Sequence, residues 1–158
     1  MAAADWEWRY PVELQDVPWD CAAASLTWCL NAYGHPITEA EVVAGLGQAR
    51  ISPTYGLLDA SGAGIVSYLS ELAIPAMNNP DATWTEIMDG AGHQPMLIGG
   101  RGWCHWTGVR MSSWTFGYTG TDVVLLANPA PGYAGVQQWL DPMQFEDLGP
   151  FSAVWFPA

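Results

Sequence analysis

Three residue types in one order, a cysteine opening a helix, a histidine on a strand and an asparagine ending the next strand, are what acyl transfer through a thiol requires. Cys21 opens the run "CAAASLTWCLNAYG". There the positive end of the helix dipole and the unpaired backbone N–H groups favour a thiolate, which sets Cys21 apart from Cys29, a residue of the same helix's apolar stripe. A thiolate nucleophile needs a base, and the base needs a third group to orient it. His105, in "WCHWTGV", falls on an expected strand between bulky neighbours that exclude water. Asn128, in "LLANPAPGY", ends the strand expected to follow by hairpin. In an antiparallel pair a residue early in one strand meets one late in the next, so Asn128 can orient a ring nitrogen of His105. The remaining need is donors for the negative charge that develops on a carbonyl oxygen. The Cys21 backbone N–H is one, and the side-chain amide of Gln15, in the loop before the helix, is the candidate for the other.

Other residues compete for these roles. His93 lies in the Gly-bounded segment "AGHQP", expected to be a solvated loop, and His35 precedes Pro36 in a turn. Asp122 is a second candidate orienter, but it begins its strand and so lies at the wrong end. Cys104 adjoins His105 and, by strand alternation, is expected to point away from the site. That same alternation splits a zinc ligand set of Cys21, Cys104 and a histidine, and no short ligand pair anchors one, so neither a metal nor any other cofactor is expected. Trp19, Asp20, Trp103 and Trp106 are placed at the cleft.

The elements that must carry these residues read in two blocks. The first helix ends at Gly34, with Leu26, Cys29 and Leu30 on its apolar stripe. "TEAEVVAGLG" and "TWTEIMDG" each begin with capping-box spacing, Thr38 to Glu41 and Thr83 to Glu86, and "SGAGIVSYLSEL" begins with Ser61; all three predict helices. After Pro95 come "PMLIGG", "CHWTGVRMS", "DVVLLAN" and "SAVWF", short segments rich in β-branched and aromatic residues, interrupted by "DPMQFEDLG" with Asp141 as N-cap and Pro142 at the first helical position. The expected fold class is α+β. One domain spans 1–158, with a helical half over about 12–92 packed against an antiparallel sheet half over about 93–158 and the cleft between them.

Composition narrows the partners. The chain has 158 residues, four Lys plus Arg against 16 Asp plus Glu, and a net charge of −12, a field that repels nucleic acid and favours neutral or cationic substrates. The three cysteines form no C-x-x-C pair, so at least one thiol is free. "MAAADWEWRY" lacks a basic, apolar signal pattern, and no run suits a membrane span, so neither a signal peptide nor membrane insertion is expected. The chain is expected to be cytoplasmic, or released by a signal-independent route.

Taken together, "QDVPWDCAAASLTWCLNAYG", "HQPMLIGGRGWCHWTGVRM" and "VVLLANPAPGY" resemble the papain-like cysteine peptidases, and within them the bacteriocin-processing, double-glycine-leader family in its stand-alone form. "LDPMQFEDLGPFSAVWF" is similar to that family's final helix and strand, so the resemblance runs over about residues 12–156. It implies a papain-like fold and a cysteine peptidase, with Cys21 as nucleophile, His105 as base and then acid, Asn128 as orienter and Gln15 in the oxyanion hole. It also implies a peptide substrate, with bacterial cell-wall stem peptides one candidate, handled by a monomer. Two departures matter. Asn128 stands where the family more often has Asp, and Ala22 where it has Gly. Crowding of the nucleophile by Ala22 is the motive for the alternative expectation, a catalytically silent binding or inhibitory module on the same fold.

Overall fold

In a computed structural model that describes residues 6, 11–12, 14–116, 121–133 and 138–157, the chain after Asp20 forms helix α1 (Cys21–Tyr33). Gly34 ends it in the left-handed region at φ 105°, its N–H returning to the Leu30 and Asn31 carbonyls. The helix is not half-exposed as its pattern suggested. Ala22 through Leu30 and Ala32 are all buried, because three alanines at its start let neighbouring elements approach from every side.

Helix α2 (Glu39–Leu46) is capped by Thr38, whose side chain accepts from the Glu41 N–H; the reciprocal half of the expected box is not made. Residues 51–57 form a small hairpin, β1 (Ile51–Ser52) and β2 (Gly56–Leu57), which the sequence reading did not anticipate. Helix α3 (Ala63–Glu71) follows Gly62 at φ 85°, where an added Cβ would collide with Val154. Strand β3 (Met77–Asn79) leads to α4 (Trp84–His93), which carries the full capping box at Thr83 and Glu86. Gly90 does not stop α4. An added Cβ there would press on Met96, so the glycine admits the helix against the sheet, and His93 becomes the helix's last residue rather than a loop residue.

Strands β4 (Met96–Gly100), β5 (His105–Phe116), β6 (Thr121–Ala127) and β8 (Phe151–Trp155) match the four strands read from the sequence, and β7 (Gln138–Leu140) is an additional short one. Helix α5 (Pro142–Leu148) starts at Asp141 and Pro142 as expected, with Asp141 and Gln144 capping each other. The sheet is antiparallel, in the order β3-β8-β4-β5-β6-β7. Apart from Trp6, the opening "MAAADWEWRY" lies outside the described residues, as does the 117–120 link of the β5–β6 hairpin. No described helix is long and apolar enough to cross a membrane.

Alternation along the strands builds a core on each face. Leu97, Trp106, Ala127 and Val154 pack against α1, α2 and α3. Met96, Ile98, Val109, Val124, Leu126 and Phe151 pack with Ile87, Met88 and Ala91 of α4 on the other side. The chain therefore does not divide at residue 92. Strand β3, from the expected helical half, pairs with β8, and α4 covers the face of the sheet opposite α1.

Candidate active site

Helix α1 lies on β5, and two contacts fix it there. Gly108 on β5 leaves space for the Trp28 ring, which a Cβ would strike, and the buried Ser25 hydroxyl donates to the Trp106 carbonyl at 3.2 Å. Ser25 is one helical turn past Cys21, so the bond holds the helix mouth at the start of β5, where His105 stands. The Cys21 sulfur accordingly lies near the backbone N–H of Trp106, the residue after His105.

The His105–Asn128 pairing expected from the hairpin is present. Register Gly108↔Ala127 places Asn128 just past the end of β6, and Asn128 Oδ1 lies 2.8 Å from His105 Nε2. The same Oδ1 accepts from the Ala130 backbone N–H at 3.0 Å, a partner that can only donate, so the atom is the oxygen and not the amide nitrogen. His105 must then carry its proton on Nε2, which leaves Nδ1 as the basic nitrogen. Asn128 Nδ2 donates to Gln138 Oε1 at 2.6 Å, so β7 holds the amide from its other end. Asn128 is buried, at 6% exposure, so this network is shielded from water.

The electrostatics differ from the expectation of a ready thiolate. Burial raises the Cys21 thiol above its ordinary value; the N–H groups of Trp106 and Ala22 pull it back, Asp20 adds a further rise, and the N–H of Cys21 itself lowers it. Desolvation outweighs the helix mouth. Burial also holds the His105 imidazolium down, and the bond to Asn128 only partly offsets that. Both shifts favour the uncharged form of each partner. Cys29 is fully enclosed and its thiol is raised far more strongly by burial.

Cys21, His105, Trp19 and Trp106 line one cavity of about 580 Å³. The other site residues read from the sequence sit around it. Trp103 packs edge-on against the His105 ring at 5.4 Å and against Phe151 at 5.7 Å, backing the imidazole. Asp20 is buried at 3% exposure, and its Oδ1 accepts from Val17 N. Gln15 does not line the cavity; its amide donates to the Val17 carbonyl at 3.0 Å, its Oε1 is buried without a partner, and its backbone N–H bonds to Pro129 O at 2.8 Å. The Ala22 side chain, at 1% exposure, belongs to the core and does not line the cavity, so the crowding that motivated a silent module is not found.

The placement expected for Cys104 is also overturned. Cys104 lines the same cavity as Cys21, because it belongs to the turn before β5, at φ 50°, where strand alternation does not operate. It is exposed, with its sulfur 3.5 Å from Arg101 O. His93 Nδ1 lies 2.7 Å from the Asp89 carbonyl at the end of α4. Asp122, near the start of β6, is at the far end of the hairpin from His105. Among the described residues, no cluster of three or more His, Cys, Asp or Glu side chains is arranged to hold a metal ion.

The sequence reading also missed the lining made by Pro53, Thr54, Tyr55 and Leu57 of the β1–β2 hairpin, whose Gly56 lies against the Trp19 carbonyl, together with Arg101. The turn residues of "SPTYG" were a usable signal for the hairpin itself, though not for its position.

Known structures share this architecture. A double glycine motif protease from an AMS/PCAT transporter, solved in complex with the leader peptide, superposes with a TM-score of 0.69 at 16% identity, over 92% of this chain and 89% of that one. The peptidase domain of Streptococcus ComA, a bi-functional ABC transporter involved in a quorum sensing pathway, does so with a TM-score of 0.69 at 18% identity, over 94% and 99%. UfSP from C. elegans matches at a TM-score of 0.57 and 18% identity, over 92% of this chain and 31% of that chain. No protein-family model and no curated protein matches the sequence. The chain has the papain-like cysteine peptidase fold.

Proposed function

We propose that this protein is a cysteine peptidase that cleaves a peptide bond through a thioester acyl-enzyme. The observation that carries the reading is the part-buried Asn128–His105 hydrogen bond, which favours one imidazole tautomer at the cavity that Cys21 and His105 both line. In that cavity the substrate carbonyl meets the Cys21 sulfur. His105 Nδ1 takes the thiol proton as the sulfur attacks and returns it to the departing amine; a water activated by the same nitrogen then releases the acyl group. Burial favours the uncharged thiol and the uncharged imidazole, which suits transfer of the proton to His105 as the sulfur attacks. The oxyanion takes the Cys21 backbone N–H; Gln15, whose amide is bonded to the Val17 carbonyl outside the cavity, joins as the second donor only if that side chain turns inward on substrate binding.

The substrate is a peptide, with bacterial cell-wall stem peptides one candidate class and peptides carrying small, double-glycine-like residues the other, acted on by a monomer. Digesting purified wall fragments beside a mixed peptide library, with products read by mass spectrometry, tests this. Cys21-dependent products from the wall arm support the stem-peptide assignment, and products from the library alone redirect it. An equal yield from Cys21→Ala in both arms ends the peptidase reading.

A further inference from the structure

Glu39 is the first residue of α2, where the helix dipole favours an ionised carboxylate, yet it is 6% exposed and both its oxygens are enclosed without a well-aligned donor. Its neighbours are the carboxyl of Asp20, itself 3% exposed, and the less well aligned backbone N–H of Asp16. Two carboxyls that meet with no cation between them are compatible only if one keeps a proton and donates it to the other. Asp20 in turn accepts from Val17 N at 3.3 Å, and the Val17 carbonyl accepts from the Gln15 amide at 3.0 Å. Two hydrogen bonds thus run from Asp20 through Val17 to Gln15, with the enclosed Glu39 carboxyl of α2 against Asp20 at their start, and Asp20 is the residue immediately before Cys21.

We propose that Glu39 is a positioning residue for the reaction: its neutral carboxyl bridges α2 to Asp20 and Asp16 and so fixes the loop that carries Gln15 and presents Cys21. The inference rests on Cys21 being the reacting thiol. Burial first, then the Asp20 carboxyl and the charges of Asp20 and Asp16, push the Glu39 carboxyl up to about 9 against a weak lowering by the Asp16 N–H. The titratable groups that act on it are these two aspartates. On the neighbouring α3, Tyr68 interacts with Glu41, Glu71 and Arg50 instead, and on α1 Cys21 feels the Asp20 charge. As pH rises through the Glu39 value its proton passes to solvent, the bridge becomes two facing carboxylates, and the loop is released.

The test uses the full chain with isotope-labelled glutamate carboxyls. One resonance is expected to stay protonated at neutral pH, titrate near 9, and vanish in Glu39→Gln. If every glutamate instead ionises at or below about pH 5, there is no bridge. Glu39→Ala is expected to lower kcat roughly 10- to 100-fold with a smaller change in KM. Glu39→Gln, whose amide still donates, is expected to restore most of that rate and to hold it above pH 9, where the parent declines. Equal loss in both variants, or no loss in Glu39→Ala, overturns the proposal. Alkylation of Cys21 relative to Cys104 in the same molecule gives a readout that needs no substrate. The ratio is expected to fall in Glu39→Ala, where the Asp20 charge is left facing the sulfur, and to hold in Glu39→Gln; an unchanged ratio in Glu39→Ala overturns it. Near-UV circular dichroism shows that each variant is folded. A normal Glu39 titration with intact Cys21-dependent hydrolysis sinks the bridge alone, whereas a high Glu39 titration with hydrolysis indifferent to Cys21 sinks the peptidase reading alone.

Discussion

The Asn128 oxygen accepts from both Ala130 and His105, so this one side chain sets both the tautomer and the basicity of the imidazole. Because the bond to Asn128 raises the His105 value against the lowering by burial, Asn128→Ala should carry the imidazole further down. The base form persists above that value and is lost as pH falls through it, so the acid limb of the kcat profile should move to lower pH in the variant. At the same time kcat should fall by about 10²-fold, because the ring is no longer oriented. A pH–rate series on parent and variant checks both, and an acid limb that moves upward contradicts the assigned donor direction. Among the thiols, Cys29 should remain unmodified in the native protein, while Cys21 and Cys104, which share the cavity, both react. Peptide mapping after limited alkylation reads this directly, and early label on Cys29 would mean that α1 opens.

At the scale of elements, the site depends on how closely α1 sits on β5. Gly108→Val should overpack the Trp28 contact, cost about 1–3 kcal/mol, and move the helix mouth away from His105. Ser25→Ala removes one buried hydrogen bond to Trp106 O and should cost about 1 kcal/mol. Chemical denaturation gives the two stabilities. If α1 placement governs the chemistry, Gly108→Val loses far more kcat than Ser25→Ala in conditions where both are fully folded. The β1–β2 hairpin is the other element to consider, because it walls the cavity with only a two-strand ladder and presents Tyr55 at 81% exposure. Such a short ladder opens at low cost, which suits a wall that a substrate must pass.

Over the whole molecule, acidic groups outnumber basic ones four to one, and Arg101 is the cation found at the cavity among the described residues. Encounter with a cationic peptide is therefore steered, and its kcat/KM should fall as salt is raised, while that of a neutral peptide of the same length stays nearly flat. Steady-state assays at low and high ionic strength on a matched pair of peptides separate the two. A salt response shared by both would place the effect on the protein's stability instead of on encounter.

Local sequence determined whatever is decided by neighbours along the chain. The helix opened by Cys21 and stopped by Gly34, the capping boxes at Thr83 and Asp141, and the four long strands are all consequences of side chains within one turn or one ladder step. The His105–Asn128 pairing was legible for the same reason, since a hairpin makes the register of two consecutive strands nearly a local property. Only the tertiary structure decided the balance at Cys21, because the helix mouth acts locally while desolvation depends on what packs over it from β5. It also decided that Cys104 faces the cavity, that α4 crosses to the far face of the sheet, and that Glu39 meets Asp20. Burial and charge pairing between distant segments sum over the assembled fold, and no window of sequence contains both partners.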